Sequence, residues 1–150
     1  MEQIYKFELN NYKNNYFMPY ISELEVFINY DKDIIKSCID LIEDSFNSKC
    51  IQFNYPCNLY IIEKDNIVVS VIFVGPYSDS NSSFNIHNVC THKKYRKRGY
   101  ITALMRTAID DIGSNNDFYL ESEPKNLCIY NKLFDIFDFN DNYYTLKYKK

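Results

Sequence analysis

From Lys93 to Arg98 the chain reads KKYRKR, five cations in six positions, and Gly99 follows at once. A run of this kind serves either a long polyanion such as nucleic acid or a compact one such as a phosphate group. Its flanks help to choose. Residues up to Thr91 alternate like a strand, and from Tyr100 apolar residues recur at helical spacing, so the basic run is a loop that opens a helix. The first N–H groups of a helix lack intrahelical partners and lie at the positive end of its dipole. A glycine at that turn lets an anion approach the amides. Hydrogen bonds to a charged group contribute about 1.5–3 kcal/mol each, so three or four would hold a pyrophosphate without a wide basic surface.

Charge and composition favour the compact anion. Formal net charge is −3, and without Lys93, Lys94, Arg96, Lys97 and Arg98 the remainder carries −8. Duplex-binding domains usually have a pI above about 9; here it is 5.4. The chain is rich in Asn, Ile, Lys and Tyr, the usage of an AT-rich genome. Its three arginines, Arg96, Arg98 and Arg106, nevertheless fall close together beside Gly99 and the two alanines, Ala103 and Ala108. Such clustering of rare residues marks a chemically demanding segment.

Other chemistries find less support. The five cysteines are odd in number and form no CxxC pair, which suits free thiols in a reducing cytosol and gives no zinc site. Cys90 and Cys128 read as small buried apolar residues. GxxxxGK[ST] is absent, and three widely spaced glycines exclude GxGxxG. The polar start, MEQIYKFELNNYKNN, is unlike a secretion signal, and no apolar run nears the roughly 20 residues that span a bilayer. The expected location is cytoplasmic, although KKYRKR is also a good nuclear-localisation run.

The elements that must position this loop follow from periodicity. At 150 residues and 46% hydrophobic, the chain fits one domain with a sizeable core. Ile4–Leu9 suggests a strand, and the Asn/Tyr-rich stretch to Tyr20 a loop. Ile34, Ile35, Cys38, Leu41, Ile42 and Phe46 give an amphipathic helix starting near Asp31 or Asp33. Asn58–Lys64 and Ile67–Gly75 are β-rich runs joined by Asp65-Asn66, a hairpin signal, and SDSNSS follows as a surface loop. Phe84–Thr91 is the strand before the basic loop, with His87 expected on one face with Asn85, Val89 and Thr91. Leu104, Met105, Ala108, Ile109 and Ile112 line a helix over Tyr100–Ile112 capped by Gly113. Phe118–Glu121 reads as a strand, Asn126–Phe137 as a helix and Tyr143–Tyr148 as a closing strand. This order predicts an α+β fold, or α/β with one parallel crossover.

Arg96-x-x-Gly99, opening a helix after a strand, resembles the pyrophosphate signature Q/R-x-x-G-x-G/A of the GNAT superfamily of N-acetyltransferases. Val89, Thr91, Tyr95, Arg96, Gly99, Tyr100 and Leu104 fall into the wider pattern V-x-T/V-x-P-x-Y-R-G-x-G-Y/I-G/A-x-x-L. Lys93 replaces its usual Pro, Lys97 its frequent Gly, and Ile101 its small Gly/Ala. A second stretch, EPKNLCIYNKL, is similar to the late-helix segment N-P-x-S-N-x-I-Y-x-K-I through Pro124, Ile129, Tyr130 and Lys132. There Glu123 replaces Asn, and Phe134-Asp135 stands where a Gly-aromatic pair is common. The two motifs cover about residues 57–148 of a single domain spanning 1–150; residues 1–55 add only a helix in a suitable place.

The resemblance implies a mixed, mostly antiparallel central sheet flanked by helices, with a parallel strand–helix–strand cofactor unit. It implies transfer of acetyl from acetyl-CoA to a primary amine by direct attack, with no metal. Arg96, Lys97, Arg98, Gly99, Tyr100 and Ile101 would hold the pyrophosphate, Val89 and Thr91 would line the pantetheine arm, and Asn126 would add a cofactor contact. Tyr130 would act as general acid toward the thiolate. The general base is open between His87 and Glu121, and Glu123 is a rival. The acceptor is open too: an acidic body suits a cationic amine, small molecule or protein, and a sugar amine is equally compatible. A binding module that has lost catalysis, or a small nucleic-acid binder using Lys93–Arg98, is the alternative reading. Oligomeric state is not legible.

Overall fold

The computed structural model describes residues 2–9, 40–45, 57–77 and 81–150. It is built on one seven-stranded sheet in the order β1-β2-β3-β4-β5-β7-β6. The strands are β1 (Glu2–Leu9), β2 (Cys57–Lys64), β3 (Ile67–Pro76), β4 (Ser83–Thr91), β5 (Asp117–Ser122), β6 (Phe134–Asn140) and β7 (Tyr143–Tyr148). Every neighbouring pair is antiparallel except β4 and β5, which are parallel. Helix α1 (Tyr100–Ile112) makes the crossover between those two. The expected mixed sheet with one parallel strand–helix–strand unit is therefore observed.

Local chemistry accounts for these elements. Asp65 and Asn66 have φ of 52° and 66°, the left-handed pair that a tight β2–β3 hairpin requires. β3, a run of Val, Ile and Phe, is buried from Val68 to Gly75 on both faces, as a central strand must be. One sheet face presents Tyr60, Ile62, Ile72, Val74, Ile86, Phe118, Leu120 and Leu146, and these pack with Leu104, Met105, Ala108 and Ile109 of α1. Each fully buried aliphatic side chain there stabilises the fold by about 1.5–3 kcal/mol. Gly113 ends α1, its N–H donating to the Ile109 carbonyl. Lys6 and Tyr60 both reach the Asp111 carboxylate at 2.7 Å, pinning β1 and β2 to the end of α1.

Three expectations need comment. Of the helix read from Asp31 onward, residues 40–45 are helical with Leu41 and Ile42 buried; its start, and the loop to Tyr20, lie outside the described residues. The helix expected over Asn126–Phe137 is much shorter. A 3-10 turn at Pro124–Asn126 leads into α2 (Leu127–Tyr130), and by Phe134 the chain is already a strand. Leu127, Tyr130, Leu133 and Phe134 are spaced as on a helix. However, the residues after Phe134 pair with β7 across a turn at Asp141, and those cross-strand bonds override the local pattern. The shortness of α2 also corrects Cys128: with Tyr130 turned inward, Cys128 is exposed, while Cys90 is buried as expected.

Candidate functional site

The parallel pairing of β4 with β5 is brief. It runs from Ser83↔Asp117 to Ile86↔Leu120, yet β4 continues to Thr91 and β5 to Ser122. Beyond Ile86 the two strands part and leave a fork. A β-bulge falls on the same stretch of β4. Phe73 pairs with His87 but Val71 with Cys90, so Asn88 and Val89 together oppose Ile72, and Asn88 has φ of 51°. The extra residue resets the alternation. Thr91, opposite Ser70, and Val89, packed on the core, belong to the α1 face; His87 and Cys90 belong to the other. The expectation that His87 shares a face with Val89 and Thr91 is thus corrected, while its neighbour Asn85 stays on its side.

The basic loop is built from the end of β4. The Ser70 and Thr91 hydroxyls meet at 2.9 Å, and the Arg96 Nε–H donates to the Thr91 carbonyl at 3.1 Å. His92 Nδ1 accepts the Lys94 N–H and so caps a 3-10 turn over Lys93–Tyr95. The Tyr95 ring gathers further cations, with the Arg98 guanidinium 4.9 Å and the Lys64 ammonium 5.8 Å from its centre. Among the described residues, none of Lys93, Lys94, Arg96, Lys97 and Arg98 forms an ion pair with a carboxylate. Lys97 and Gly99 are left-handed, at φ of 63° and 79°. A Cβ placed on Gly99 would meet nothing within 4 Å, so the approach to this turn is open. Gly99 caps α1 with no side-chain hydrogen bond, and the first turn carries no acid. An open turn, a helix N-terminus and unpaired cations fit a diphosphate. Tyr100 is buried, and Ile101, at the position where the motif has a small residue, packs against the core.

Tyr130 lies on α2, buried. Burial pushes its phenol up to about 12, and the nearby Cys90 thiol adds to the rise. Cys90 is itself pushed up to about 12 by burial, partly offset by a hydrogen bond with the Ser45 side chain and by the Arg96 guanidinium. Such a thiol stays protonated and inert.

His87 faces the Phe73 ring at 5.7 Å, and neither ring nitrogen, both buried, makes a hydrogen bond. Burial pushes its imidazole down to about 4; the backbone of Asn85 opposes the shift slightly without forming a hydrogen bond of good geometry. Glu121 follows Leu120 just as His87 follows Ile86, so the two flank the mouth of the fork on the face away from α1. Glu121 is exposed; Glu123 is half-buried and paired with Lys125 at 3.2 Å. Asn126 closes the turn before α2, its N–H donating to the Glu123 carbonyl. No group of three His, Cys, Asp or Glu among the described residues could hold a metal ion.

Sequence reasoning missed the bulge, the Lys64–Tyr95 contact and the anchoring role of Arg96. Only the bulge had a signal, an Asn in mid-strand, since Asn tolerates the left-handed region. The Lys64 contact joins residues far apart in sequence and had none.

The sequence matches the Acetyltransferase (GNAT) family over residues 21–127, and the chain belongs to that family. No curated protein matches it. Among solved structures it is similar to an acyl-CoA N-acyltransferase from Pseudomonas aeruginosa, at 10% identity and TM-score 0.69, covering 99% of this chain and 100% of that one. Escherichia coli ElaA is similar at 11% identity and TM-score 0.64, with 99% and 100% covered. A GNAT family acetyltransferase from Elizabethkingia anophelis with acetyl-CoA bound is similar at 15% identity and TM-score 0.57, with 99% and 98% covered. At these identities the likeness speaks for the fold.

Proposed function

We propose that the chain is an acyl-CoA-dependent N-acyltransferase that moves acetyl from acetyl-CoA to a primary amine. The observation that carries this reading is the fork between β4 and β5, with an open cationic helix N-terminus after β4 and the buried Tyr130 on α2. A fold neighbour with acetyl-CoA bound supports the choice of donor.

Acetyl-CoA supplies an acyl group already activated as a thioester. Arg96 to Ile101 hold the pyrophosphate, mainly through backbone amides, with Lys97 and Arg98 adding charge. Val89 and Thr91, on the part of β4 that β5 has left, offer backbone groups to the pantetheine arm and polarise the acyl carbonyl. Asn126 contacts the same arm. In the transfer an N–C bond forms, the C–S bond breaks, the amine nitrogen loses a proton, and CoA leaves as a thiolate that takes a proton from solvent. Tyr130 meets the departing sulfur. A thiol ordinarily titrates near 8.5, well below a phenol pushed up to about 12. Tyr130 therefore stabilises the thiolate by a hydrogen bond and keeps its proton. His87 is neutral at working pH and orients the amine without repelling it. Glu121, exposed at the mouth, takes the amine's proton directly or through water.

Calorimetric titration of acetyl-CoA tests the reading. Saturable one-site binding near micromolar, about −8 kcal/mol, is expected, and Arg96→Glu should abolish it. Absence of binding at millimolar acetyl-CoA, with RNA bound instead, would transfer the loop to the nucleic-acid reading.

A further inference from the structure

Several charged groups away from the fork are held by a partner. Lys150 holds Asp117 at 2.6 Å, Lys6 holds Asp111 at 2.7 Å, and Lys149 donates to the Asn131 carbonyl at 2.7 Å. On the face of the sheet opposite α1, polar side chains gather at the fork. The strand registers place Asn85, Tyr119 and Lys147 in one row across β4, β5 and β7. Glu121, Thr145 and Asp138 form the next row, and His87, one residue past the last β4–β5 pair, faces the same side. Both nitrogens of His87 lack partners. The side chains of Asn85, Glu121 and Thr145 make no hydrogen bond or ion pair among the described residues. The Lys147 ammonium is 3.8 Å from an Asp117 oxygen that Lys150 already holds more closely.

Lys147 is nevertheless fixed in place. Its ammonium sits 5.6 Å from the centres of both the Tyr119 and Phe137 rings. Tyr119 stacks on Tyr77 at 4.4 Å and meets Phe137 edge-on at 5.4 Å, so three rings brace one cation. Two more carboxylates lie on this face: Asp135, opposite Lys147, is 3.7 Å from Lys149, and Asp138, opposite Thr145, accepts the Phe139 N–H at 2.8 Å. The other face of the sheet is filled by α1, at whose start the phosphate loop lies. On the face away from α1, the Asn85–Lys147 row and the Glu121–Thr145 pair beyond it lead to the open end of the fork.

We infer that this face is the acceptor site, and that the acceptor is a primary amine which also carries a carboxylate or a similar anionic group. The amine lies at His87 and Glu121, and the anion on Lys147 with Asn85 beside it. Successive same-face positions along a strand are about 6.6–6.8 Å apart, so Glu121 and Lys147 oppose a zwitterion whose charges are a few bonds apart. This assignment rests on the acyltransferase reading and names its substrate class.

The test measures CoA release with three amines of one chain length: 5-aminopentanoate, pentylamine and 1,5-diaminopentane. The amino acid should show the highest kcat/KM, about tenfold above pentylamine, with the diamine lowest. Lys147→Glu should reverse the order by raising KM for the amino acid, and Lys147→Arg should preserve it, which separates lost charge from lost packing on the rings. Equal rates for the three amines, a wild-type preference for the diamine, or a preference unmoved by Lys147→Glu overturns the inference and leaves the transferase reading standing. No CoA release from any amine removes both.

Discussion

β3 and β4 lie side by side and are composed for opposite purposes. β3 is paired on both edges, carries no charge, and is buried along nearly its whole length. β4 pairs with β3 throughout but loses β5 after Ile86, and from there its residues are His87, a bulged Asn88, Val89, Cys90 and Thr91. Where pairing is complete the side chains contribute burial. Where it stops, both ring nitrogens of His87 lack a hydrogen bond, and the backbone of β4 is no longer paired to β5. The same division cuts β4 itself into a closed half, Ser83–Ile86, and an open half.

Substitutions on the two sides of that division should fail differently. The largest effect belongs to the closed half. Phe118→Ala, at a fully buried ring stacked on Phe84 at 5.6 Å, should cost about 3–5 kcal/mol, read as a lower urea midpoint. Next comes the open half, where Tyr130→Phe should lower turnover about 10²–10³-fold while acetyl-CoA affinity and melting temperature hardly move. Loss of binding instead would make Tyr130 a packing residue.

The third effect is a pH slope. The fold holds His87 neutral at about 4 against 6.5 in the unfolded chain, so between those values the unfolded chain binds the extra proton. Stability is full above pH 6.5 and declines as pH falls toward 4, by up to about 3 kcal/mol. His87→Phe should flatten that slope in urea titrations, whereas substitutions along β3 should leave it intact. Gly99→Ala is smaller. Space for a Cβ is free, so only the left-handed backbone resists, at about 1 kcal/mol, and acetyl-CoA should bind several-fold more weakly. The smallest is Asp111→Asn, far from the fork. Lys6 and Tyr60 hold that carboxylate below its usual range, a contribution present at neutral pH and lost in acid. At a half-exposed site its removal should cost under about 1 kcal/mol.

Much of the fold was legible because local signals agreed with tertiary pairing. Asp65-Asn66 marked its hairpin, and the apolar stripe from Leu104 to Ile112 marked α1 to the residue. The segment after Asn126 was not, because a helical spacing of Leu127, Tyr130, Leu133 and Phe134 competed with strand pairing to β7, which is non-local. In the candidate site, the loop was legible from residue types alone. The sidedness of His87 was not, since a single inserted residue reverses every face that follows it. Lys147 was invisible for another reason: only the sheet register brings it beside Tyr119 and within one row of Glu121.

The brevity of the β4–β5 contact also bears on how the molecule assembles. The sheet is two ribbons, β1 to β4 and β5-β7-β6, joined by a seam of four register pairs. The β2–β3 and β6–β7 pairs close over short turns, but the seam requires the whole crossover through α1 to be in place first. It should therefore lock late in folding and open early in native-state hydrogen exchange. The amides of Phe84–Ile86 and Phe118–Leu120 would then exchange together, at a lower free energy than those of β3. A protein joined this lightly along its middle can widen the fork without unravelling either ribbon.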